Sequence, residues 1–184
     1  MKKIALVNAH VISPGVDLAD AVVVVEGANV KSVSRAKPPK GAEIVDVKGA
    51  YVVPGFIDVH LHGACGYDVC DATEEAITKI AEAKLAEGCT SFLPTTLTVG
   101  HDNLVAAAKA VAAYRKNEKF AKVIGIHLEG PFINVKCCGA QNPAFVRKPD
   151  IKEVLAISRI SPVKMISYAP ETEGGAKFAA DCFK

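Results

Sequence analysis

The 184-residue chain is predicted to adopt an α/β fold: about four strand–helix units on a parallel sheet, preceded by a small β module. Three observations predict it. Half of the residues are hydrophobic, enough for a sizeable core. The first fifty residues carry short β-branched runs split by turn formers. From Tyr51 onward, apolar runs of strand length alternate with segments of helical spacing. Alternation of this kind builds a parallel sheet, either doubly wound or closed as a barrel.

In the N-terminal part, residues 4–12, 21–26, 30–33 and 44–47 read as strands, separated by Pro14-Gly15, Gly27-Ala28-Asn29 and Pro38-Pro39-Lys40-Gly41. That spacing predicts small antiparallel strands and hairpins over residues 1–52, part of a β-sandwich with no chemistry of its own. Residues 53–184 form the second domain. Its first strand is the apolar run ending at Leu61, expected to be buried. Asp71, with Glu74 three residues on, resembles a capping box, and Ile77, Ile80, Ala81 and Leu85 keep helical spacing until Gly88. Residues 89–97 read as the second strand. Asp102 is placed to cap a second helix carrying Leu104, Ala108, Val111 and Ala112, with Arg115 and Lys116 at the end where cations suit the dipole. A third strand at 122–128, a long loop to Lys148, a helix at 150–157, a strand at 163–168 and a helix from near Gly174 complete the order. Four such units leave two unpaired parallel edges, so a longer chain or a partner is expected to cover them.

Acids and bases nearly balance, at a net charge of +2, and no basic stripe is interleaved with aromatics. Nucleic acid is therefore not the expected partner. No apolar run approaches the roughly 20 residues of a membrane span. Met1-Lys2-Lys3 leads into a segment broken by Asn8, His10 and Pro14, unlike a signal-peptide core. A soluble cytoplasmic protein is expected. The cysteines at 65, 70, 89, 137, 138 and 182 fit neither a zinc-finger spacing nor a CxxC motif, so reduced thiols are expected. Cys65 follows the histidines closely enough to approach a metal.

Two stretches carry the chemistry. The first strand ends Ile57-Asp58-Val59-His60-Leu61-His62-Gly63, and the third ends Gly125-Ile126-His127-Leu128-Glu129-Gly130-Pro131. Residues two apart on a strand share a face, so each run delivers a pair of polar groups to one surface. Three imidazoles and a carboxylate converging there suit a divalent metal. Glu129 would be costly to bury after Val-Ile-Gly-Ile-His-Leu unless paired or bound to an ion. His127 reads as a ligand, a supporting group or a substrate contact, and Asp58, one step deeper, as a partner that orients a histidine. The long loop holding Lys136-Cys137-Cys138-Gly139-Ala140-Gln141-Asn142-Pro143 could contact a substrate through its backbone near residues 139–141.

Residues 54–63 resemble the first-strand signature of the amidohydrolase superfamily. Together with Leu93-Pro94-Thr95-Thr96, residues 127–132, Gly139-Ala140-Gln141-Asn142-Pro143 and Tyr168-Ala169-Pro170-Glu171, they are similar to N-acetylglucosamine-6-phosphate deacetylases, over the N-terminal half of a family member. The resemblance implies a partial (βα)8 barrel of the metal-dependent hydrolase type and a β-sandwich assembled from both chain ends. It implies removal of acetate from N-acetylglucosamine 6-phosphate, with one or two divalent ions, zinc foremost. Glu129 matches the carboxylate ligand of the main ion, and His60 and His62 the pair that holds a second in some members. Ala140 and Gln141 match a substrate-contacting pair, and His127 a supporting group. The general-base aspartate is expected beyond residue 184, so activity of these residues alone is not expected. Cys137-Cys138 stands where basic residues would be anticipated. A homo-oligomer of the full-length protein, or a complementary second-half chain, is the implied assembly. Two other readings remain open: an amidohydrolase acting on a cyclic amide, and a non-catalytic half barrel that docks with a partner.

Overall fold

The computed structural model describes residues 2–183, which form two compact units that divide between Pro54 and Gly55. The first holds β1 (Lys3–Ser13), β2 (Val16–Glu26), β3 (Asn29–Ser34), β4 (Glu43–Asp46) and β5 (Tyr51–Val52) in one sheet. β1, β2 and β3 form an antiparallel meander, whereas β4 and β5 both run parallel to β1. The expectation of antiparallel strands throughout is thus corrected. Residues 35–42, with two consecutive prolines that lack a ladder donor, carry the chain across unpaired. Asn8, at φ 56°, lies within a register shift of β1. The bulge flips the facing pattern. Ala5 therefore packs with Val22 and Val24, while Ala9 packs with Val11, Ala21 and Val23.

The second unit runs β6 (Phe56–Leu61), a short hairpin of β7 (Gly63–Ala64) and β8 (Tyr67–Asp68), α1 (Glu74–Ala86), β9 (Cys89–Thr96), α2 (His101–Arg115), β10 (Lys122–Val123), β11 (Ile126–Glu129), α3 (Ile151–Ile160), β12 (Val163–Ser167) and α4 (Gly175–Cys182). β10 and β11 are two stretches of the expected third strand, interrupted at Ile124-Gly125. β9 pairs with β6 and with β10 and β11, and β12 pairs with β11, all in parallel. Neighbours follow chain order without reversal. A doubly wound sheet would reverse at a switch point, so of the two predicted architectures the sequential wall is the one observed.

Apolar positions on the helices meet the sheet in one core containing Ile77, Ile80, Phe92, Leu104, Val111, Leu128 and Ile157. Three local expectations change. Thr73, not Asp71, caps α1, its Oγ1 accepting from the Ala76 N–H at 3.1 Å. Asp71 instead pairs with Asp68 in a reciprocal box around the 3-10 turn Val69–Asp71. Gly100 is the cap residue of α2, leaving Asp102 in the first turn, where its charge suits the dipole without a capping bond. The apolar run of β6 is not buried. Among the described residues its one ladder partner is β9, and Phe56 and Ile57 are 66% and 62% exposed. Gly88, at φ +84°, ends α1 as predicted.

The loop at 130–148 contains two 3-10 turns, Val135–Cys137 and Pro143–Phe145, and is fastened by Arg147. Arg147 donates to both oxygens of Glu153 on α3 (Nε to Oε2 at 3.0 Å, Nη2 to Oε1 at 2.5 Å) and to the carbonyls of Val99 and Phe145. His101 Nδ1 lies 2.9 Å from the same carboxylate. Burial alone would raise the Glu153 carboxyl, but the bonds from Arg147 and His101 outweigh it and hold it below its ordinary value. A depressed carboxyl stabilises the fold above the unfolded pKa and loses that contribution as pH falls through the folded value. Glu153→Gln is therefore expected to cost about 1–2 kcal/mol at neutral pH. It should also flatten the loss of stability on acidification below about pH 4.5. Thermal melts of both proteins at pH 7 and 3.5 check this; a constant gap between them would refute it.

Candidate metal centre

His60 lies on β6 and His62 directly follows it, while His127 and Glu129 lie on β11, two strands away across β9. The strand ends bring them together. The His60 ring centroid is 4.9 Å from that of His62 and 5.0 Å from that of His127. Ligand atoms of His60, His62 and Glu129 all lie within 4.8 Å of one another. His62 Nε2 is 3.0 Å from Glu129 Oε2, and His60 Nε2 is 3.9 Å from Oε1.

The hydrogen bonds behind these side chains decide which atoms are available. His62 Nδ1 is 3.1 Å from the Thr95 carbonyl oxygen. A carbonyl only accepts, so Nδ1 carries a hydrogen and the lone pair sits on Nε2. That lone pair faces a carboxylate oxygen, which also only accepts. Two acceptors at 3.0 Å need a positive charge between them, either a proton or a metal cation. Two imidazoles and one carboxylate are a known donor set for an ion that keeps an open position. Donors about 2.0–2.2 Å from a shared ion lie at most about 4.4 Å apart, so small rotamer changes close the observed spread onto one ion. The residues fit a divalent metal.

His127 is spent otherwise. Its Nδ1 is 3.0 Å from the Val59 carbonyl and 3.4 Å from Thr95 Oγ1, and its Nε2 is 2.8 Å from Ser167 Oγ. Burial pushes its pKa below the ordinary value, and the neighbouring His60 adds to the effect. A neutral ring with Nδ1–H on the Val59 carbonyl accepts from Ser167 at Nε2, which leaves no nitrogen free for an ion. The ring ties β11 to β6 and β12. Asp58 accepts from the His60 backbone N–H at 3.1 Å and lies 3.7 Å from Lys84 Nζ. It therefore acts on the backbone of His60. Cys65 is exposed in the hairpin turn and outside the cluster.

Gln141 reaches the centre from the loop, its Nε2 donating to Glu129 Oε2 at 2.6 Å, whereas Ala140 is exposed beside it. Gly130, at φ +73°, lets the chain turn immediately after Glu129, and a Cβ there would sit 2.1 Å from Thr98 Oγ1. Glu129, Asn134, Gln141, Ser167, Tyr168 and Glu171 help line a cleft of about 260 Å³ at these strand ends. Its size is near the small end for ligand sites.

Residues 51–171 match the Amidohydrolase family. The chain belongs to this family. Amidohydrolases are metal-dependent, in keeping with a His-His-Glu cluster at the strand ends. The chain is 32% identical over 181 residues to N-acetylglucosamine-6-phosphate deacetylase of Haemophilus influenzae, covering 92% of this chain and 47% of that protein. It is 35% identical over 148 residues to the Bacillus subtilis protein of the same name, covering 77% and 37%. A mutant of the Mycobacterium smegmatis deacetylase, solved in complex with N-acetyl-D-glucosamine-6-phosphate, superposes with a TM-score of 0.85 at 28% identity, covering 96% of this chain and 46% of that one. The chain thus spans about half the length of such relatives or less.

Sequence reasoning missed Thr95, Thr98 and Ser167 as parts of the centre. Thr95 Oγ1 accepts from the Leu61 N–H at 2.9 Å and donates to the Leu93 carbonyl at 3.1 Å. A faint signal existed: Thr95 and Ser167 are hydroxyl residues at or next to the C-terminal ends of their strands, as His60 and Glu129 are ionisable ones.

Proposed function

We propose that this chain supplies the N-terminal half of a metal-dependent deacetylase, which removes acetate from N-acetylglucosamine 6-phosphate to leave glucosamine 6-phosphate. In this reading residues 1–52 belong to a β-sandwich module and residues 53–184 to the first half of a βα barrel. His60, His62 and Glu129 hold a divalent ion, with zinc the proposed metal. The observation that carries it is the pair of facing acceptors, His62 Nε2 and Glu129 Oε2, the latter on a residue that also lines a cleft, in an amidohydrolase chain. A divalent ion there supplies polarisation of an acetamide carbonyl and acidification of water. The chain's own residues do the rest of what lies within it. Thr95 fixes the His62 tautomer through its carbonyl, His127 ties three strands together, and Ala140 and Gln141 present the loop to the sugar. The same reading makes the protein cytoplasmic and the complete barrel homo-oligomeric.

A chimera tests this, with residues 1–184 replacing the matching segment of the Haemophilus influenzae relative. Acetate release from N-acetylglucosamine 6-phosphate, lost on chelation and restored by zinc, is the expected result. A soluble, zinc-binding chimera that leaves the sugar phosphate intact but opens a cyclic amide would overturn the substrate assignment.

A further inference from the structure

Gln141 has an unusual place in this centre. It lies on the loop, not on a strand, yet its amide joins two elements of the sheet. Its Oε1 accepts from the Thr98 backbone N–H at 2.7 Å, beyond the end of β9. Its Nε2 donates to Glu129 Oε2 at 2.6 Å, at the end of β11. The first bond removes the usual ambiguity of a side-chain amide. Only the oxygen can accept from the Thr98 N–H, so the nitrogen must face Glu129. Thr98 Oγ1 is itself 3.4 Å from the Glu129 carbonyl, so the backbone that aims the amide also borders the backbone that carries the carboxylate.

The consequence falls on the carboxylate. Oε2 is engaged by Gln141 and approached by His62, whereas Oε1 lies 3.9 Å from His60 and has no donor so close. A carboxylate pinned through one oxygen loses rotational freedom before any ion arrives, and its other lone pairs point in fixed directions. Outer partners of this type orient ligands and tune metal affinity. We infer that Gln141 is a positioning residue for the metal centre: it holds Glu129 in a ligating orientation through the Thr98–Gln141–Glu129 chain. The inference deepens the metal reading given above and rests on it. It also revises the role implied by resemblance, since one amide hydrogen and the amide oxygen are committed within the protein. One Nε2 hydrogen remains to face the cleft.

The test is a double-mutant cycle in zinc affinity, measured by chelator competition on the 184-residue chain. Gln141→Met keeps length and volume and removes both hydrogen bonds. It should weaken zinc binding about 10–100-fold when Glu129 is present. In a Glu129→Gln background, where no carboxylate remains to be oriented, the same change should alter zinc affinity less than about threefold. A merely structural role would give equal losses in both backgrounds, and that result overturns the inference, as does unchanged affinity in the single variant. Gln141→Ala provides a second variant with the same expected pattern. Failure of the unsubstituted chain to bind zinc would instead overturn the centre itself and this inference with it.

Discussion

Glu129→Gln is expected to lower zinc affinity by at least about 100-fold while changing the stability of the metal-free protein by no more than about 1 kcal/mol. The first half follows from the donor set. The substitution removes the only anionic ligand in a three-residue cluster, and loss of a mere outer partner already costs about 10–100-fold. The second half follows from the facing acceptors. Without an ion, a proton between His62 Nε2 and Glu129 Oε2 makes them a part-exposed pair at 3.0 Å, whose loss costs little, and an amide oxygen at 129 can still accept from Gln141. The two effects separate in one experiment. Zinc at 100 times the dissociation constant of the unsubstituted chain should stabilise that chain by about 2.7 kcal/mol. The variant, at an affinity 100-fold weaker, should gain only about 0.4 kcal/mol. Equal zinc-induced shifts in melting temperature would remove Glu129 from the ligand set.

What the sequence disclosed about this centre was the part written into single strands. His60 and His62, and then Glu129, stand two apart from a neighbour at the end of apolar runs, and periodicity alone places them on one surface. The parts that depend on a second strand were hidden. Thr95 matters because its carbonyl meets His62 and its hydroxyl meets Leu61, 33 and 34 residues away. Gln141 matters because Thr98, 43 residues earlier, aims its amide. His127 read as one of three possible roles, and only the positions of Val59 and Ser167 exclude ligation. The fold divides the same way. Helix positions and the succession of strands along the chain followed from local pattern, but Asp71 and Thr73 are both competent caps, and only the left-handed Ala72 between them assigns the helix to Thr73. Parallel pairing of β4 and β5 leaves no mark in the spacing of their residues.

Two phenylalanines on paired strands differ in burial, and their replacement should differ in cost to match. Phe92→Ala on β9 is expected to destabilise the second unit by about 3–5 kcal/mol, the range for a large buried aromatic cut to alanine. Phe92 has no exposed surface and shares its core with Ile77, Ile80, Leu104 and Val111, so the sheet and two helices would line the resulting cavity. A loss of that size should lower the melting temperature by roughly 10–20 °C in calorimetry. Phe56→Ala on β6 removes the same side chain from the other strand of the same ladder, where it is 66% exposed, and should change stability of this chain by no more than about 0.5 kcal/mol. Zinc affinity should separate the core from the centre. Phe92 lies on the face of β9 that meets the helices, while Thr95, an odd number of residues on, meets His62 and His127 on the other. The ladder from β9 to β6 and β11 still fixes Thr95 when the phenyl ring is gone. Below its melting temperature, Phe92→Ala should therefore bind zinc within about tenfold of the unsubstituted chain, well short of the loss in Glu129→Gln. A loss as large as that of Glu129→Gln would mean that the packing of β9, rather than the ligands themselves, holds the centre together.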